Sequence, residues 1–215
     1  MLVREIGRNG LLLGLFAVCA TLALAGTYLL TRDEIAAQRR AAEARALKEI
    51  LPDERHDNSL LDDTLAVEDA SLLGLKQPRK AYVGRLDGEV VAVILPVVAP
   101  DGYSGSIELI VGVNRDGTIA GVRVVAHRET PGLGDQVDIR KSPWIRSFEG
   151  RSLSDPAPER WAVKKDHGEF DQFTGATITP RAVVAAVKRS LEYFAAHRAR
   201  LLGTEQEDSG EAGNG

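Results

Sequence analysis

The chain opens on an unbroken apolar stretch. From Asn9 to Thr31 no residue is charged, and Leu11 to Leu30 is almost wholly apolar or small. A helix rises 1.5 Å per residue, so about 20 such residues cross the roughly 30 Å hydrocarbon core of a bilayer. From Asp33 to Ile50 the composition turns Ala-rich and charged, without Gly or Pro. This predicts that the helix continues beyond the apolar run and stops at Pro52, with Asp53 to Asn58 as a polar connection. From Lys80 the period becomes that of strands. Tyr82 to Leu86, Glu89 to Val98, Ser106 to Asn114 and Thr118 to Ala126 are short β-branched runs. Asp87-Gly88 and Asp116-Gly117 stand between them where hairpins need positive φ, and Pro100 to Gly105 makes a further turn. A Gly/Pro loop, His127 to Asp135, follows. Ser142-Pro143 then opens a short helical segment, Ser as cap and Pro at the first position. Thr179-Pro180 does the same for a last helix running to about Leu202, with Val183, Val187, Leu191 and Phe194 on one buried face.

These elements predict the α+β class: a single N-terminal transmembrane helix followed by one α+β domain with an antiparallel sheet. The expected divisions are residues 1–31 for the cytoplasmic N-terminus and transmembrane anchor, 32–58 for a juxtamembrane helix and linker, 59–202 for the domain, and 203–215 for an acidic, Gly-rich tail. Such a tail has too little apolar surface to order itself and is expected to be disordered. Arg4 and Arg8 precede the apolar run, while Arg32, Asp33 and Glu34 follow it. The bias of basic residues predicts a cytoplasmic N-terminus and an exported remainder. Ala23-Leu24-Ala25 also fits a signal-peptide cleavage site, although Tyr28-Leu29-Leu30 carries the apolar run past it. Either reading exports the domain.

Composition excludes several chemistries. A formal net charge of −4 offers no basic excess for phosphate backbones, so nucleic acid is not expected as a partner. The single cysteine, Cys19, lies in the apolar run, which leaves the exported part without a disulfide, a thiolate metal site or an iron–sulfur cluster. The histidines His56, His127, His167 and His197 show no HxxxH or HExxH spacing, so no metal site is assigned. Redox chemistry would need an organic cofactor or a partner. Trp144 and Trp161 read as core aromatics before they read as stacking platforms. His127 and His167 read as polar loop residues, and the basic residues of the last helix (Arg181, Lys188, Arg189, Arg198, Arg200) as a solvated face.

The chemistry-bearing motif lies just before that helix: Asp171-Gln172-Phe173-Thr174-Gly175-Ala176-Thr177. A small-residue loop leading into a helix N-terminus presents exposed amide groups and the positive end of the helix dipole, a favourable place for phosphate. Gly175 and Ala176 permit close backbone approach, and Thr174 and Thr177 offer hydroxyls. On these grounds alone a plain helix cap is the commoner reading.

DQFTGAT resembles the D-x-x-[ST]-G-A-T signature modified by flavin transferases of bacterial envelopes, which place FMN, through its phosphate, on the final threonine. HRETPGLGD (His127 to Asp135) resembles the second hallmark of the same FMN-binding domain family. With the anchor, the chain to about Leu202 resembles the G subunit of Rnf ion-translocating electron transport complexes. The C subunit of the sodium-translocating NADH:quinone reductase shares this plan and stands as the alternative, as does another envelope flavoprotein electron carrier. The resemblance implies FMN as cofactor, covalently held at Thr177, with Thr174, Gly175 and Ala176 shaping the phosphate pocket. Glu129, Thr130, Gly132, Leu133 and Gly134 are the implied flavin contacts. Asp171 is expected to orient the unmodified threonine or to mark the loop for the transferase. The implied role is an electron carrier without catalytic residues of its own, in a membrane complex coupling ferredoxin–NAD electron transfer to ion translocation. Implied partners are the other subunits and, for maturation, a flavin transferase. The implied location is the bacterial inner membrane, with a single pass and the FMN domain on the periplasmic side.

Overall fold

Helix α1 runs without interruption from Leu2 to Ile50, in a computed structural model that describes residues 2–204, the side chains of 2–8, 35, 36 and 39 excepted. Most of the acidic tail expected to be disordered, from residue 205 onward, therefore lies outside the described residues, as do the side chains of Arg4 and Arg8 that carry the expected orientation. Chain contacts form two units, residues 1–44 and residues 45 onward.

In the first unit, Asn9–Glu34 is 26 residues long and apolar enough to cross a membrane. Leu11, Leu15, Phe16, Leu22, Leu24 and Leu30 are all exposed, an apolar surface that lipid would cover. The hydroxyls of Thr21, Thr27 and Thr31 donate back to the carbonyls of Ala17, Ala23 and Thr27, each at 2.8 Å. Their polar groups are thus satisfied within the helix, as a hydrocarbon surrounding requires.

The second unit is built on a five-stranded antiparallel sheet in the order β1-β2-β3-β4-β5. The strands are β1 Thr64–Val67, β2 Arg79–Leu86, β3 Glu89–Ala99, β4 Ile107–Asn114 and β5 Ile119–Ala126. Asp87 and Gly88 take φ of 52° and 82°, so the β2–β3 hairpin closes on a two-residue turn with Leu86 opposite Glu89. The edge strand β1 went unforeseen. Its four residues are too few for a period-2 signal, and pairing with Arg79 to Tyr82 creates it.

Side chains alternate between two cores. Val93, Leu95 and Val97 of β3 and Leu109, Val111 and Val113 of β4 share one core with Val183, Val187, Leu191 and Phe194. Those four residues lie on helix α2, Ile178–Ala196. Ala92, Ile94 and Ile110 face the other way, into a smaller core with Leu47, Ile50 and Leu51. Glycines in the strands make room there. A Cβ on Gly84 would collide with the Leu51 side chain, and one on Gly112 with that of Ile50. On β5, the buried Arg123 donates to Glu49 Oε2 at 2.8 Å and lies 3.6 Å from Glu149.

Between β5 and α2 the chain forms turns around an aromatic wedge. Ser142 Oγ accepts the Trp144 amide at 3.2 Å and caps a 3-10 segment, Pro143–Phe148. Trp144, Phe148, Trp161, Phe170 and Phe173 pack with ring centroids 4.6 to 6.3 Å apart. Trp161 thus belongs to the core, and the half-buried Trp144 packs against it.

The last helix differs from expectation at both ends. It starts at Ile178 with Thr177 at the cap position, and Thr177 makes no side-chain capping bond. Thr179 does not cap: its hydroxyl is turned inward to Glu129, and leaving that buried carboxylate oxygen without a donor would be costly. At the other end the chain breaks at His197, and a four-residue helix α3, Arg198–Leu201, follows. Four of the basic residues expected on a solvated face are also tethered there: Arg181 pairs with Asp166 at 2.7 Å, and Lys188, Arg198 and Arg200 donate to the carbonyls of Pro158, Arg115 and Ala66.

Candidate functional site

Three turns converge on the N-terminus of α2. Phe173 is buried against Trp144, at 5.1 Å between centroids, and the Trp144 indole donates to the Asp171 carbonyl at 2.8 Å. The motif loop is therefore held from beneath by aromatics. From Phe173 the chain turns tightly, the Ala176 amide donating to the Phe173 carbonyl at 3.1 Å, with Gly175 at φ 78°. Thr177 follows, and its carbonyl accepts the first intrahelical bond, from Arg181 at 3.3 Å. The amides of Ile178 and Thr179 have no preceding turn to bond into, and Pro180 has none to offer. The positive end of the helix thus sits beside the Thr177 hydroxyl.

Facing this is the loop after β5. The Thr130 carbonyl accepts the amides of Leu133 and Asp135, folding the Pro-Gly segment into a knob. Glu129, only 4% exposed, lies at its base. One of its oxygens accepts the Ser104 amide at 2.9 Å, and the other accepts the Thr179 hydroxyl. A single buried carboxylate so joins the β3–β4 turn, the post-β5 loop and α2. The Glu129 amide itself donates to His127 Nδ1 at 3.2 Å. Behind the knob, the Arg140 guanidinium donates to both Asp138 oxygens, and that bonding keeps the Asp138 carboxyl below its ordinary value despite burial.

Between these walls lies a cavity of about 330 Å³, within the range of small-molecule sites. The post-β5 loop contributes Glu129, Thr130, Leu133 and Gly134, and the motif loop Gly175, Ala176 and Thr177. Of the residues expected in a site, seven meet here. Gly132 and Thr174 do not line the cavity: Gly132 supplies a left-handed turn at φ 77°, and Thr174 is exposed. Asp171 is exposed too and pairs with Lys164 at 2.7 Å. Tyr103, Ile178 and Thr179 complete the lining and were missed. The turn at Pro100 to Gly105 carried a structural signal only, and Thr179 was read as a cap. Tyr103, Leu133 and Ile178 are exposed apolar side chains, set around the mouth.

The residues present fit a flavin mononucleotide. The polar end of the cavity offers a helix N-terminus for phosphate, and its apolar rim suits a flat ring. Gly134 leaves the space open: a Cβ there would come within 2.6 Å of Glu129 Oε2 and 2.7 Å of Thr179 Oγ1.

Fold and cavity together define an α+β domain with a small-molecule site, in a chain that also holds a candidate membrane span. The FMN-binding domain family matches residues 102–192, and the RnfG N-terminal region matches residues 1–50. The G subunit of the ion-translocating oxidoreductase complex of Pseudomonas aeruginosa is 55% identical over 203 residues, covering 94% of this chain and 95% of its own length. Its counterpart in Shewanella loihica is 49% identical over 199 residues, covering 93% and 94%. Among solved structures, the C subunit of the Na(+)-translocating NADH-quinone reductase from Parabacteroides distasonis aligns at 20% identity with a TM-score of 0.45, over 68% of this chain and 79% of that one. The chain belongs to the G-subunit family of ion-translocating oxidoreductase complexes.

Proposed function

We propose that this chain is the membrane-anchored electron carrier of an ion-translocating oxidoreductase complex, and that its FMN is esterified through phosphate to Thr177. The observation that carries the reading is the position of Thr177: at the head of α2, without a capping bond, on the wall of a cavity whose far side is the Glu129–Gly134 loop. Family membership supports the complex and the cofactor class.

When bound, FMN supplies the capacity to take up and pass on one or two electrons. The chain's own residues hold and shape the site. The Thr177 hydroxyl oxygen would be the attachment point: it gives up its proton to form the phosphoester as the transferase's FAD donor is cleaved and releases AMP, so no free hydroxyl remains to take part in turnover. The amides of Ile178 and Thr179 and the α2 dipole stabilise phosphate charge. Gly134 and Gly175 let the backbone approach closely, and Leu133, Ile178 and Tyr103 screen the mouth from water. A tether replaces a dissociable equilibrium by an intramolecular one at high effective concentration, which matters where free cofactor is scarce. The domain accordingly lies on the outer side of the cytoplasmic membrane, the N-terminus of α1 inside, and a flavin transferase is the maturation partner. The electrons pass along a route between ferredoxin and NAD that drives ion movement in other subunits. The span itself carries no charged residue between Asn9 and Thr31, in keeping with an anchor rather than an ion path.

The test is co-expression of the full chain with and without a flavin transferase, followed by denaturation. Flavin fluorescence on the gel and an FMN mass increment are expected with the transferase and absent from Thr177→Ala of unchanged circular dichroism. Label persisting in that variant, or none in the wild type, overturns the attachment.

A further inference from the structure

We infer that Glu129 is a built-in electrostatic brake on reduction of the bound flavin, a charged wall that lowers the cofactor's midpoint potential; the inference rests on the proposed attachment at Thr177. Glu129 is buried at 4% exposure, and among the described residues no Lys, Arg or His forms an ion pair with it. Its two oxygens accept from neutral donors, the Ser104 amide and the Thr179 hydroxyl. These bonds keep the carboxylate in place without cancelling its charge. Other carboxylates of the loop are differently placed. Asp138 is neutralised by Arg140 at its side, and Asp135 has Lys141 Nζ at 4.0 Å. Glu129 is also the one acidic residue in the cavity lining, across from Thr177.

The consequence is electrostatic. A group tethered at Thr177 that fills this cavity lies against an uncompensated negative charge with little water between them. Adding electrons to the ring adds negative charge there, and like charges at short range in a poorly screened site repel. The oxidised form is therefore favoured and the potential falls, so the carrier releases electrons more readily than a neutral site would allow. The α2 dipole acts in the opposite sense, but it is the same in wild type and side-chain variants. Comparing them isolates Glu129.

Glu129→Gln removes the charge and keeps the shape. Its amide oxygen still accepts from Ser104, and its NH₂ donates to Thr179 Oγ, a hydroxyl being donor and acceptor alike. The full chain, co-expressed with a flavin transferase and purified in detergent, is first read for label after denaturation. The folded protein is then titrated with dithionite against redox dyes. The expected result is at least a tenfold rise in the reduced-to-oxidised ratio at fixed potential, an upward shift of about 30 mV for a two-electron couple. Glu129→Asp, which keeps the charge, should stay with the wild type. Thr130→Lys, which sets a cation in the same lining, should shift the potential upward and serves where the Gln variant fails to fold or to take label. A labelled Gln variant at the wild-type potential overturns the brake while leaving the attachment intact, and an unshifted Thr130→Lys does the same in its stead. Unlabelled wild type overturns the attachment first and the brake with it.

Discussion

Thr179 gives its hydroxyl hydrogen to Glu129, bonding the first turn of α2 to a loop fifty positions earlier in the chain. Thr179 is 1% exposed, so nothing in solvent can replace the bond. Thr179→Val should strand one buried carboxylate oxygen and destabilise the domain by about 1–3 kcal/mol. Thr179→Ser, which keeps the donor, should recover most of it. Urea unfolding of both, with unchanged slopes, checks this, and a valine variant as stable as the wild type would contradict it.

The motif loop depends on Phe173. Its ring is buried against Trp144, and truncating a buried aromatic costs about 3–5 kcal/mol. Phe173→Ala should lower the melting temperature and, because Thr177 follows in the same loop, reduce the covalent flavin yield. Phe173→Leu should keep most of both. Melting curves and gel fluorescence on the same preparations separate the two effects.

The smaller core predicts a coupling. Gly112→Ala places a methyl where the Ile50 side chain now lies, and overpacking costs about 1–3 kcal/mol. Ile50→Ala removes the Cγ2 methyl that the new methyl would meet, and alone costs about 2–5 kcal/mol. The double variant should cost less than the sum, since each change relieves the other. Strict additivity in a thermal double-mutant cycle would show that the two positions do not meet.

Much of this could be read from the residues. The β-branched run from Glu89 to Val98 and the two Asp-Gly turns located the central hairpins, and the DQFTGAT and HRETPGLGD segments located both walls of the cavity. What escaped was settled by contacts distant in sequence. β1 exists because Arg79 to Tyr82 offers it a partner. Thr179 looked like a cap since Thr-Pro is a good local start, and only Glu129, brought in by the sheet, draws its hydroxyl inward. Tyr103 enters the cavity for the same reason: the Ser104 amide is held by Glu129, which carries its neighbour to the mouth.

Acid should weaken the post-β5 knob. Arg140 holds the Asp138 carboxyl below its ordinary 3.8. A lowered folded value means stability that is fully present above the unfolded value and lost as pH falls through the folded one. Asp138→Asn should therefore flatten the fall in urea midpoint below pH about 4, with little change in slope above pH about 5. The Arg140 head is largely exposed, so the effect is expected to be modest. Parallel acid limbs in wild type and variant would refute it.

The glycines at 84 and 112 make the sheet's second face a keyhole cut to one key. Leu47, Ile50 and Leu51 fill it and are almost wholly buried, yet all three precede the first strand. A soluble fragment trimmed to the strands and α2 would open bare backbone and the underside of Ile94 to water. The shortest version that keeps its lock filled begins at or before residue 45, which turns the end of α1 from a spacer into part of the domain's own interior.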